Sequence, residues 1–141
     1  MFIRKRVRQK AGGLRVYFTA LRSVRTPAGP RQITVASWYS PADPGHPLYA
    51  PSVQAALDQI ETDSFANMSP EKMRTSAAYW RELLRTTNGA WCIHKGKRFK
   101  REEIEARAEW MDKRAEAKEQ EAEKLRTVLA EIGNWTWDEQ L

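Results

Sequence analysis

Apolar and polar residues alternate along the first third of the chain. Between Phe2 and Arg8, Ile3 and Val7 fall on one side of a two-residue period, with Arg4, Arg6 and Arg8 on the other. Leu14, Val16, Phe18 and Ala20 then alternate with Arg15, Tyr17 and Thr19, and Ile33 and Val35 alternate with Gln32, Thr34 and Trp38. Ala11-Gly12-Gly13 and Thr26-Pro27-Ala28-Gly29-Pro30 supply turn residues between these runs. The pattern predicts a three-stranded antiparallel meander over residues 1–39. Its buried face is expected to consist of Ile3, Val7, Leu14, Val16, Phe18, Ile33 and Val35.

The period then changes. Residues 40–51 carry four of the seven prolines and read as a linker. Ser52 is placed to cap a short helix in which Val53, Ala56, Leu57 and Ile60 form one stripe. Ser69-Pro70-Glu71 is a second helix start, followed by an apolar stripe of Met73, Ala77, Trp80 and Leu84 flanked by Leu83. Asn88-Gly89 ends that helix. Trp91, Ile93 and Phe99 around His94-Lys95-Gly96-Lys97 predict a short extended piece or tight hairpin, which completes a segment over 52–99.

A long charged helix is predicted over 100–133. No Gly or Pro occurs from Arg101 to Ile132, and Ile104, Ala108, Met111, Ala115, Lys118, Ala122, Leu125, Leu129 and Ile132 keep a 4-3 spacing with one polar member. Such a helix is about 48 Å long, more than a small head is expected to cover. Ile104, Met111, Leu125, Leu129 and Ile132 are therefore candidate partner-binding or self-association residues. Trp135 and Trp137, in a tail over 134–141, are expected to fold back or dock on the same partner. The fold class read from these patterns is α+β. A small three-stranded antiparallel meander packs on two short helices, and a long coiled-coil-like helix follows.

Composition narrows the functional classes. The 141 residues hold 24 Lys and Arg against 18 Asp and Glu, a net charge of +6 that favours an acidic partner. The distribution is uneven. Residues 1–42 carry nine bases and no acid, residues 95–101 five bases and no acid, and residues 102–141 twelve acids against six bases. The single cysteine, Cys92, excludes an intramolecular disulfide framework and points to a reducing, cytoplasmic setting. No apolar run is long enough to span a membrane.

Candidate chemistry is sparse. Cys92 and His94 form the one close pair of soft ligands, too few for a zinc site. There is no Gly-x-Ser-x-Gly, and Gly12-Gly13 leads into a strand, so it makes a turn and not a phosphate loop. Most carboxylates sit at solvent-facing positions of the long helix. The sequence predicts no catalytic residues, no metal and no cofactor, hence a non-enzymatic protein. The two acid-free blocks are the candidate nucleic-acid-binding residues. They are Arg4, Lys5, Arg6, Arg8, Lys10, Arg15, Tyr17 and Arg31 in the first, and Lys95, Lys97, Arg98, Lys100 and Arg101 in the second. Tyr17 and Trp38 are available to stack or pack beside the first block.

Met1-Phe2-Ile3-Arg4, the basic stretch up to Gly12-Gly13, the run Leu14–Arg22, and Gly29-Pro30-Arg31-Gln32 leading into Ile33-Thr34-Val35-Ala36 resemble the β-rich start of bacterial insertion-sequence transposases of the DDE class. The resemblance covers residues 1–38 and no catalytic acids. It implies a chemistry-free module of phage or mobile-element type. The expected function is thus nucleic-acid binding through backbone phosphates, with DNA and RNA both open and the long helix recruiting a protein partner or a second copy. The alternative is a protein-directed module, such as a phage or mobile-element inhibitor or a small subunit of a nucleoprotein complex.

Overall fold

The computed structural model describes residues 1–65 and 67–137; the last four positions of the expected 134–141 tail lie outside the described residues. Strands β1 (Phe2–Lys10), β2 (Gly13–Thr26) and β3 (Gly29–Pro41) form an antiparallel sheet in the order β1-β2-β3. Helices α1 (Val53–Glu61) and α2 (Pro70–Thr86), a hairpin of β4 (Trp91–His94) and β5 (Lys97–Lys100), and helix α3 (Arg101–Ile132) follow. The fold is α+β, as the periodicities require.

The helix starts are those that the capping residues mark. Ser52 Oγ accepts from Ala55 N at 3.1 Å, and Ser69 Oγ accepts from Lys72 N at 3.2 Å with Pro70 in the first turn. In the hairpin, Lys95 and Gly96 both take positive φ (48° and 76°), the left-handed backbone region that tight two-residue hairpin turns require.

One face of the sheet is fixed by pairing. Ile3 lies opposite Ala20, Lys5 opposite Phe18 and Val7 opposite Val16, so these residues share the side that meets the helices. Between Ala20 and Leu21 the register shifts: Ala20 faces Ala36, but Leu21 faces Thr34. Val35 is the extra residue of a β-bulge; Ile33 before it keeps its expected side, opposite Arg22, while after it the alternation expected for β3 is inverted. Trp38, expected with the polar positions, instead stacks on Phe18 with ring centroids 5.3 Å apart. Ile33, expected in the buried face, is half exposed. Val7 and Leu14, near the turn between β1 and β2, are also exposed because the helical cover does not extend to that end.

That cover is supplied by α1 and the C-terminal half of α3. Ala20, Ala36, Val53, Ala56, Leu57, Ala122, Leu125 and Val128 form one cluster across these elements. A second cluster joins α2, the hairpin and the N-terminal half of α3 through Ala77, Trp80, Leu84, Cys92, Ile104 and Ala108. The two short helices therefore lie one after the other along α3. At 1.5 Å per residue they span about 40 Å of its length of about 48 Å.

This arrangement corrects the expectation for the long helix. Ile104 and Leu125 are core residues, Met111 and Leu129 pack against the two clusters, and Ala115 is fully buried between them. Only Ile132 of the five keeps substantial exposure. Lys118, the polar member of the seam, donates from Nζ to Met68 O at 2.9 Å and to Asn67 Oδ1, which ties the segment between α1 and α2 to α3. Its burial pushes the ammonium pKa below the usual lysine range. Trp135 and Trp137 do fold back. Val53 N donates to Trp135 O at 3.0 Å, Trp137 N donates to Pro51 O, and both rings pack edge-on to Phe18.

Leu125→Ala is expected to lower stability by about 2–4 kcal/mol, because it opens a cavity at the centre of the sheet–helix cluster. Urea titrations at several protein concentrations check this. The loss should be independent of concentration, as befits an intramolecular contact and not a seam between chains.

Candidate nucleic-acid interface

The sheet has one face against the helices, so period 2 directs every second side chain of β1 to the other. Arg4, Arg6, Arg8 and Lys10 stand in a column on that open face. Their cross-strand partners on β2 are Thr19 opposite Arg4, Tyr17 opposite Arg6, and Arg15 opposite Arg8. On β3, Ser37, Tyr39 and Pro41 extend the same rows. The result is a grid of three columns, cationic at the β1 edge and aromatic toward β3. Arg4, Arg6, Arg8, Lys10, Tyr17 and Thr19 line a shallow groove on it.

The aromatic members interact. Tyr17 and Tyr39 have ring centroids 5.8 Å apart, and the Arg15 guanidinium lies 5.4 Å from the centroid of Tyr39. Arg4 Nη2 donates to Gln32 Oε1 at 3.2 Å, which orients the first cation of the column. None of Arg4, Arg6, Arg8, Lys10 or Arg15 enters an ion pair among the described residues. Some cations elsewhere are paired, whereas Arg25, Arg31, Arg98 and Arg107 have no ion pair among the described residues either. Arg22 pairs with Glu131, Arg81 with Asp112 and Arg126 with Glu61. Arg74 holds Glu119 in a two-pronged contact at 2.7 and 2.9 Å, which keeps the Glu119 carboxyl below its usual pKa. The open face also sets Arg8 directly across from Arg15, a like-charge pairing that costs folding energy.

Two of the expected first-block residues belong elsewhere. Lys5 has the other parity, sits opposite Phe18, and brings Nζ to 5.9 Å from the Trp137 ring centroid. Arg31 pairs with Val24 beyond the bulge, on the helix side of the sheet at its far end. Trp38 is likewise withdrawn into the core. Tyr39 takes its place on the open face. The sequence signal for it was the bulge, and a bulge at an ordinary Val35 leaves no composition mark.

The second block forms a separate surface. In the hairpin Trp91 faces Lys100 and Ile93 faces Arg98, all on the side turned away from buried Cys92. The Arg98 guanidinium lies 4.6 Å from the Trp91 ring centroid, and Lys100 Nζ 6.0 Å from it. Lys95 is at the turn, and Lys97 pairs with His94 on the inner side. His94 Nδ1 is hydrogen-bonded to Tyr79 Oη at 2.8 Å, and its ring packs on Trp80, so it is held as a structural group. Arg101 is not part of this surface. Its guanidinium donates to Thr87 O at 2.8 Å and Leu84 O at 3.0 Å, satisfying carbonyls at the end of α2. Ile104 packs in the hairpin cluster and Leu125, about 30 Å further along the α3 axis, in the sheet cluster, so the two cationic surfaces belong to opposite halves of α3.

Among the described residues no three His, Cys, Asp or Glu side chains converge as a metal ion would need, and no helix is long and apolar enough to cross a membrane. No family model, no characterised protein and no solved structure matches the chain.

Arg101→Gln is expected to cost about 1–2 kcal/mol through the lost charge-assisted bonds to α2, a fall in Tm of about 3–8 °C for a chain of this size. Arg98→Gln, on the exposed side of the hairpin, is expected to leave Tm nearly unchanged. Thermal melts of the two variants side by side check the difference.

Proposed function

We propose that this protein binds nucleic acid without catalysis, through the open face of the β1-β2-β3 sheet. The observation that carries the reading is the set of five cations, Arg4, Arg6, Arg8, Lys10 and Arg15, gathered on one face with two tyrosines and without an ion pair among the described residues. Arg22, Arg81 and Arg126, on other surfaces of the same chain, have acidic partners. A patch that keeps its charge, and bears a like-charge pair, is suited to phosphates that neutralise it on binding. The outer side of the hairpin, Arg98 and Lys100 with Trp91 and with Lys95 at the turn, is a second contact of the same kind. The likeness of residues 1–38 to insertion-sequence transposases supports a setting in a phage or mobile element, with the binding part retained and the chemistry absent.

A second reading, a protein-directed module in a nucleoprotein complex, is favoured by the hairpin's apolar exposure. Ile93 is 67% and Trp91 43% exposed beside Arg98 and Lys100, a mixture that also fits an acidic protein surface. On this reading the isolated protein purifies at low salt with the ultraviolet absorbance of protein alone.

Affinity for a short oligonucleotide is expected to fall steeply with salt, with a log–log slope of about −3 to −5 for roughly five phosphate contacts. Arg6→Ala should weaken binding and reduce that slope by about 1. Fluorescence anisotropy across a salt series measures both. Affinity that holds constant from low to moderate salt overturns the proposal.

A further inference from the structure

We infer that the open face of the sheet takes a single strand, with phosphates along the β1 column and bases against Tyr17 and Tyr39. The inference rests on the nucleic-acid reading above and deepens it. Alternate residues of a strand are about 6.8 Å apart, so Arg4, Arg6, Arg8 and Lys10 form a row of charges at that interval. A regular row of this kind can meet successive phosphates of one backbone, one cation to each, with the bases of that strand turned toward the rest of the sheet.

Those bases find a surface beside the row. Tyr17 lies one strand away from the cationic column and Tyr39 two strands away, at about 5 and 10 Å by the usual strand spacing. Tyr39 is half exposed, and the Arg15 guanidinium against its ring adds a second flat group. Aromatic and guanidinium planes accept any base, which gives binding with little sequence preference. Thr19 and Ser37 complete the row beside Arg4 with hydroxyls that both donate and accept.

A duplex fits this face poorly. Its bases are enclosed, and proteins that reach them send a helix or a two-stranded ribbon into a groove. Here the helices that cover the sheet lie on the opposite side, with Ala20 and Ala36. A flat face of three strands would touch only the outer phosphates of a duplex, and the tyrosines would be idle.

The test is fluorescence anisotropy of the full chain with a labelled mixed-sequence single strand of about twelve nucleotides, a length within the usual range of such sites, as DNA and as RNA, and with the same sequence as a duplex. The single strand is expected to bind at least tenfold more tightly than the duplex. Tyr39→Ala is expected to weaken single-strand binding at least roughly fivefold, the low end of what one stacked base contributes, and to leave duplex binding unchanged. Tyr39→Phe, which keeps the ring, should retain affinity, and it also serves should the alanine variant fold poorly. Duplex binding as tight as single-strand binding, or a Tyr39→Ala variant that folds and binds normally, overturns this inference while leaving salt-dependent binding through Arg6 intact. No binding of either form at low salt overturns both.

Discussion

Phe18 is the residue on which the orientation of the sheet depends. It is almost fully buried, stacks on Trp38, and meets Trp135 and Trp137 edge-on at 5.4 and 6.0 Å. Offset and edge-on aromatic contacts of this type add to the large area each ring removes from water. Because side chains alternate strictly along a strand, anchoring Phe18 inward sends Tyr17 and Thr19 outward, and the pairing carries Arg4 and Arg6 with them. The cationic face thus follows from the aromatic cluster behind it. The cluster has a cost as well, since Nε1 of Trp38 and Nε1 of Trp137 are buried without a hydrogen-bond partner among the described residues.

Helix α3 does the corresponding work along the other axis. Its Ala108, Ala115 and Ala122 are small enough to let neighbouring elements come close, and all three are buried. An alanine seam of this type makes a weak interface between separate helices in water, since each residue removes little apolar area. It makes a good spine when the partners are tethered in the same chain and need not lose the entropy of association. The acidic half of the helix is partly used in the same way. Asp112, Glu119 and Glu131 hold arginines of α2 and β2, so the negative charge at this end of the sequence helps fasten the head to the helix.

The elements were largely legible. Ser52 and Ser69-Pro70 mark helix starts because few other residues satisfy exposed N–H groups there, and the stripe Met73, Ala77, Trp80, Leu84 is buried as its spacing requires. The column Arg4, Arg6, Arg8, Lys10 was equally plain, since a two-residue period needs no knowledge of what lies behind the sheet. The misplacement of Trp38 has one cause, the extra residue at Val35, which shifts the parity of β3 after it. Ile33 and Arg31 precede the bulge and keep the helix-side parity that plain alternation gives them. Arg101 is misplaced for another reason. It looks like the last cation of a basic run, and only the nearness of Leu84 O and Thr87 O turns it into a helix cap.

Local order is what the sequence settled by itself, namely the strands, the helices, their caps and the segregation of charge into two acid-free blocks. These depend on neighbours within a few positions, where spacing and residue type suffice. The tertiary structure decided which surfaces remain. It laid α1 and α2 one after the other on α3 and buried a seam that looked available to another chain. It drew Trp135 and Trp137 under the sheet and separated Lys5 and Arg31 from the cations beside them in sequence. It also brought Tyr39 beside Tyr17. Each of these outcomes is a competition for the same apolar cover among segments far apart in the chain, and such a competition has no local signature.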